Sequence, residues 1–156
     1  MASLPPRSHY DRSGWCAALN ETGLQGMGVS LPPVVVLVEC DPLVRYGYSV
    51  LIGDWGYEVL ACASTAEAAE AAAGRHVGAL VLGHDQAMIT DGLTRAAGLA
   101  RALGAVPVAI IAGRLQRAAL DCAARYDFAI LSETEEPDRL QVWLSGSLTR
   151  PAETRR

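Results

Sequence analysis

The sequence predicts an α/β fold: a three-layer sandwich in which a five-stranded parallel sheet lies between two layers of helices. Three features of the chain predict it. Residues 34–145 alternate short β-branched apolar runs with stretches of helical periodicity. Strands separated by helical stretches of roughly 10–15 residues need crossover connections, which are right-handed and leave neighbouring strands parallel. Hydrophobic residues make up 51% of the 156 positions, enough to bury strands on both faces. Five such units wound to both sides of the first strand give a flavodoxin-like arrangement, strand order 2-1-3-4-5, with five helices.

Each element has a local reason. Val34–Val38 is an unbroken apolar run dominated by valine, the mark of a strand buried on both faces. Asp41 is placed to cap the next helix, with Pro42 at its first position, where a missing N–H costs no hydrogen bond. Val44, Tyr48, Leu51, Ile52 and Trp55 follow at helical spacing, and Gly56 ends the helix. Residues 57–62 read as the second strand. Ser64 and Glu67 have the spacing of a capping box, opening an Ala-rich helix that runs to Gly74. Residues 79–83 form the third strand, and Asp91 heads a helix that ends before Gly104. Residues 106–111 are the fourth strand, 115–125 the fourth helix, 128–131 the fifth strand and 137–148 the last helix. In sheets of this kind, sites lie beyond the carboxyl ends of the strands, where the strand order reverses.

Residues 1–33 mix Pro5-Pro6, arginine, serine and glycine, and end in Pro32-Pro33 without a sustained period. They are expected to form a disordered extension, with a short helix near 15–19, ahead of a domain at 34–148. Residues 149–156 are expected to be a disordered tail. Met27 offers a second possible translation start.

Composition excludes several functions. The net charge is −4, and no basic run is longer than Arg155-Arg156, so no nucleic-acid footprint is present. Cysteines 16, 40, 62 and 122 form no CxxC pair, which argues against a structural zinc site or a disulfide framework and for reduced thiols in a cytoplasmic protein. No apolar run is long enough to cross a membrane, and residues 1–26 lack the apolar core of a signal peptide. No Gly-rich phosphate loop follows the first strand, and no Ser-His-Asp set stands on a nucleophile elbow. All 13 cationic side chains are arginine; the chain has no lysine.

The segments Cys40-Asp41-Pro42-Leu43-Val44-Arg45, Trp55-Gly56-Tyr57-Glu58-Val59-Leu60 and Asp91-Gly92-Leu93 carry a family resemblance, continued by Val106-Pro107-Val108 and Glu136-Pro137-Asp138-Arg139-Leu140. Over residues 34–148 the chain resembles the receiver domain of bacterial two-component response regulators. The resemblance implies a site at the strand ends. Carboxylates after the first strand hold Mg²⁺, and an aspartate ending the third strand accepts a phosphoryl group. A hydroxyl after the fourth strand and a lysine after the fifth then bind that group.

This chain departs from the pattern position by position. Glu39 falls on the first acidic position and Cys40 on the second; sulfur is a poor ligand for Mg²⁺. Asp41 is the helix cap and the third member of the acidic pocket. The acceptor stands eight residues before the glycine of an Asp-Gly pair, and counting back from Gly92 gives His84. Asp85 follows, and Asp85-Gln86-Ala87-Met88 imitates the family's Asp-x-x-Met start if one loop residue is deleted. His84 is the favoured occupant of the acceptor position and Asp85 the alternative. The hydroxyl position falls on Ala112, the lysine on Glu133, its following proline on Thr134 and the aromatic switch residue on Ile130. A carboxylate at 133 repels the anion that a lysine would clamp.

These residues imply a degenerate receiver, a pseudo-receiver without catalytic activity or ordinary aspartate phosphorylation. It would act by protein–protein interaction in phosphorelay signalling. The expected partner is a sensor histidine kinase, another receiver or a second copy, met through residues 114–148. No cofactor is expected; Mg²⁺ on Glu39 and Asp85 is the exception to test. One alternative keeps phosphorylation, on Asp85. Another is a flavodoxin-like module binding a small ligand at the strand ends. A transition-metal site of His84, Cys40 and Glu39 is a further option, weaker because no ligand-spacing motif supports it. Trp143 reads as a packing or interface residue.

Overall fold

The computed structural model describes residues 33–88, 91–132 and 137–148. The expectations for residues 1–32 and 149–156, and for Glu133 and Thr134, lie outside the described residues.

Among the described residues, eleven elements follow one another. They are β1 (Val34–Val38), α1 (Pro42–Asp54), β2 (Glu58–Cys62), α2 (Thr65–Ala71), β3 (Val77–Leu82), α3 (His84–Met88), α4 (Gly92–Ala102), β4 (Val108–Ala112), α5 (Arg117–Arg125), β5 (Ala129–Ser132) and α6 (Asp138–Leu148). The strands form one sheet in the order β2-β1-β3-β4-β5, and every neighbouring pair is parallel. The predicted architecture and strand order are therefore present. One count differs: six helices are described where five were expected. The addition is α3, five residues directly after β3. A single turn and a half is too short to show a hydrophobic period, so only its packing, with Gln86 and Ala87 buried, marks it.

β1 is buried at all five positions, as is β4, while β2 and β5 flank the sheet with partly exposed residues. Alternate residues of the central strands feed two cores. Val36, Val38, Leu80, Leu82, Val108 and Ile110 pack with Ala68 of α2, Leu93, Ala96 and Leu99 of α4, and Ala123 of α5. On the opposite face Val35, Leu37, Val81 and Ile111 pack with Ile52 of α1 and with Leu140 and Leu144 of α6. Small alanines on α2, α4 and α5 let those helices lie close to the sheet.

The caps explain why the helices start where they do. Asp41 Oδ1 accepts the N–H groups of Leu43 (2.8 Å) and Val44 (3.2 Å), with Pro42 beside it. Ser64 Oγ accepts from the Glu67 N–H at 3.2 Å, and the Glu67 carboxylate reaches back to the Ala63 N–H at 2.8 Å. Asp91 heads α4 without a side-chain cap bond and sits at φ 66°, a left-handed conformation that aspartate tolerates better than most residues. On α1 the inward face is made by Tyr48, Ile52 and Trp55; Val44, expected on that face, is 41% exposed.

Candidate functional site

The carboxyl ends of β1 and β3 are adjacent in the sheet, with Val38 in register with Leu82. The residues that follow each strand therefore meet. Glu39 continues β1 and is buried, 4% exposed, and its N–H donates to Cys62 O at 3.0 Å. Gly83 follows β3 and donates its N–H to Val38 O at 2.8 Å. The Glu39 carboxylate lies across Gly83, where any Cβ would collide with it. Sequence reasoning had missed Gly83, whose only signal is a glycine at the end of a strand.

Three ligand-type groups converge above this point. A carboxylate oxygen of Glu39, Cys40 Sγ and a carboxylate oxygen of Asp85 lie within 4.8 Å of one another. The Cys40 thiol donates to Asp85 Oδ2 at 2.8 Å. Glu39 Oε1 accepts the Asp41 N–H at 2.9 Å. Arg45 Nη1 reaches back from α1 and donates to the backbone oxygens of Glu39 (2.7 Å) and Cys40 (3.2 Å). It fixes the turn without pairing with a carboxylate. Arg45 entered the sequence reading only as part of the resemblance.

The geometry brings some of the sequence-predicted residues together and not others. Of the two residues after β3, Asp85 reaches Cys40 and Glu39; His84, the favoured occupant, is not in the cluster. The reason is α3. Once the chain turns helical at His84, consecutive side chains diverge by about 100°, so only one of them can face β1. His84 Nδ1 is instead buried without a hydrogen-bond partner. Asp41 is likewise outside the cluster, its carboxylate committed to capping α1. The option of a His84–Cys40–Glu39 metal site falls with the same geometry.

Charge explains the state of the thiol. The hydrogen bond to Asp85, desolvation and the fields of Asp85 and Glu39 all favour the neutral form, so the Cys40 pKa is pushed up from 9.0 to about 11. Asp85 and Glu39 are the acidic groups responsible. Cys62 is also raised, chiefly by burial.

Two of the remaining positions, Ala112 and Ile130, lie among the described residues. Ala112 ends β4, 1% exposed, and pairs in register with Ser132 of β5. Ile130 is 43% exposed on the edge strand. The small-ligand alternative expected a pocket at the strand ends. A cavity of about 300 Å³ lies elsewhere, between α3, the start of α4 and α5, lined by Met88, Asp91, Thr94, Gln116 and Cys122 among others. Among the described residues no helix is long and apolar enough to cross a membrane.

No family model and no curated protein matches the chain. Solved structures do. The chemotaxis protein CheY4 of Vibrio cholerae superimposes with a TM-score of 0.65 at 17% identity, over 76% of this chain and 100% of that one. The BeF3-activated receiver domain of Klebsiella pneumoniae RstA gives 0.63 at 19% identity, over 75% and 99%. The receiver domain of an HD domain-containing protein of Pseudomonas fluorescens Pf-5 gives 0.66 at 17% identity, over 76% and 95%. The chain has the receiver fold of response regulators. That fold implies Mg²⁺ at the strand ends, and the donor set does not fit it. Mg²⁺ is a hard ion that takes oxygen in near-ideal octahedral geometry, and here one of the three ligand-type groups is a thiol.

Proposed function

We propose that this domain is a degenerate receiver that works by protein–protein interaction in two-component signalling and has neither ordinary aspartate phosphorylation nor catalytic activity of its own. The observation that carries the reading is the Cys40–Asp85 pair. The one carboxylate after β3 that enters the cluster is held by a thiol at 2.8 Å, where a phosphorylatable site needs a hydrated metal ion. Two absences in the sequence add to it. Ala112 offers no hydroxyl, and a chain without lysine has no ammonium to neutralise an acyl phosphate.

Interaction would run through residues 114–148, where Leu120 (38%), Ile130 (43%) and Val142 (71%) expose apolar surface on α5, β5 and α6. The partner would be a sensor histidine kinase, another receiver or a second copy, in the cytoplasm. Incubation with acetyl phosphate and Mg²⁺, followed by intact mass spectrometry, tests the reading. It expects no added species of about 80 Da, the mass of a phosphoryl group.

A second reading has one observation in its favour. Asp85 is exposed and stands beside the buried Glu39, so a small phosphodonor can reach it. Stoichiometric labelling that disappears in Asp85→Asn would establish a phosphorylatable receiver and remove the first reading.

A further inference from the structure

The cavity of about 300 Å³ between α3 and the first turns of α4 and α5 shares no residue with the strand-end cluster. We infer that it binds a small zwitterion with an apolar body, the chemistry of a free α-amino acid. Size is the first argument. The volume lies at the lower end of small-molecule pockets. At about 30 Å³ for each water-sized group it admits about ten non-hydrogen atoms. The inner lining is apolar: Leu93 is buried and Cys122 half-buried, and alanines of α3 and α5 complete that side. The polar residues of the lining, Asp91, Thr94 and Gln116, are exposed. An apolar body is therefore buried while a charged head stays towards solvent.

The charge of that head follows from two features of opposite sign. Asp91 holds the N-cap position of α4, yet its side chain makes no cap bond. Among the described residues no arginine pairs with its carboxylate or lines the cavity. That carboxylate is left for an ammonium. The second feature is a pair of helix starts. The N-cap, second and third residues of α4 and of α5 all line the cavity. The N–H groups of a first turn have no acceptor within their own helix. In these two helices the first internal bonds come from the N–H groups of Arg95 (2.9 Å) and Leu120 (3.0 Å). Gln116, like Asp91, adds no side-chain cap. Two positive helix ends thus border one volume and favour a carboxylate there. A lone cation would meet those ends, and a lone anion would meet Asp91. A zwitterion satisfies both.

The inference goes beyond the proposed function and does not rest on it, since ligand binding and the phosphodonor assay are separate readouts. The test is calorimetric titration of the full, reduced chain with L-leucine, a molecule of the right size. Leucine should saturate the protein with a Kd of about 1 mM or below, the order expected for so small a ligand. 4-Methylpentanoic acid lacks the ammonium and leucinol lacks the carboxylate; each should bind about fivefold more weakly or worse. Asp91→Asn keeps a residue type that tolerates the left-handed backbone at φ 66°. It should remove the advantage of leucine over the acid and keep its advantage over leucinol. Location is read at Cys122 by peptide mass mapping. Leucine should slow alkylation of Cys122 by iodoacetamide severalfold and leave the rate at Cys40 unchanged. No saturation by leucine, equal binding of either analogue, an advantage over the acid that survives Asp91→Asn, or a Cys122 protected no more than Cys40 overturns the inference.

Discussion

Cys40 shows how one substitution changes the chemistry of a strand end. Its thiol points at two carboxylates, and the hydrogen bond to Asp85 holds the proton on sulfur, so the pKa lies near 11. The folded state therefore binds this proton more tightly than the unfolded chain, whose thiol titrates near 9.0. The stability this contributes is complete below about pH 9 and is lost as the pH rises through 11. Urea unfolding at pH 8 and at pH 10.5 should show a larger loss for wild type than for Cys40→Ser. The same proton controls reactivity: at pH 8.5 iodoacetamide should modify Cys40 more slowly than a free exposed thiol, and Asp85→Asn should speed it. An unchanged rate in Asp85→Asn would mean the hydrogen bond does not set the thiol's state.

Gly83 works at the same scale by having no side chain. Gly83→Ala drives a Cβ into the Glu39 carboxylate. Overpacking of this kind costs about 1–3 kcal/mol. Because the collision involves one side chain, Glu39→Ala should relieve most of it. A double-mutant cycle measured by denaturant unfolding should therefore show coupling between 39 and 83, and additive effects would place the clash elsewhere.

Among the elements, α1 is the one whose start bears on the site. Asp41 caps it with two hydrogen bonds, and Arg45, one turn in, holds the turn through the Glu39 and Cys40 carbonyls. Asp41→Ala should cost about 1 kcal/mol, the usual value of an N-cap. If the cap is the residue's whole role, Asp41→Ser retains most of that stability. α6 makes a complementary point. Leu144 is fully buried beneath it, and Val142, two residues earlier, is 71% exposed. Leu144→Ala should cost about 2–5 kcal/mol, whereas Val142→Glu should change stability by no more than about 0.5 kcal/mol. α3 is the element that re-aims chemistry: five residues of helix select Asp85 over His84.

At the scale of the whole domain, a receiver fold carries Glu39, Cys40 and Asp85 together at its strand ends. Two apolar cores, one on each face of the sheet, hold the frame. Glu39, Cys40 and Asp85 sit at its rim and belong to neither core, whereas Ala112 is part of one. The apolar surface at Leu120, Ile130 and Val142 is where interaction is proposed. If that face pairs two copies, light scattering at high protein concentration should report a dimer, and Val142→Glu should return it to monomer. A monomer at all concentrations would leave a different protein as the partner.

The sequence by itself determined the parallel five-stranded sheet, its order, and the caps at Asp41 and Ser64. Those features arise from periodicity and from hydrogen bonds between near neighbours, which any stretch of the chain carries locally. It also determined that Cys40 and Ala112 stand at the ends of β1 and β4, because a position at a strand end follows once the strand is placed. Only the tertiary structure decided which residue after β3 enters the pocket. Counting back from Gly92 favoured His84, whereas α3 begins there and Asp85 faces Cys40 and Glu39. It alone exposed the roles of Gly83 and Arg45, which depend on what lies across from them. The physical reason is range: a strand's pattern is set by its own residues, whereas a site is set by side chains 45 positions apart in sequence that the sheet brings within 3 Å.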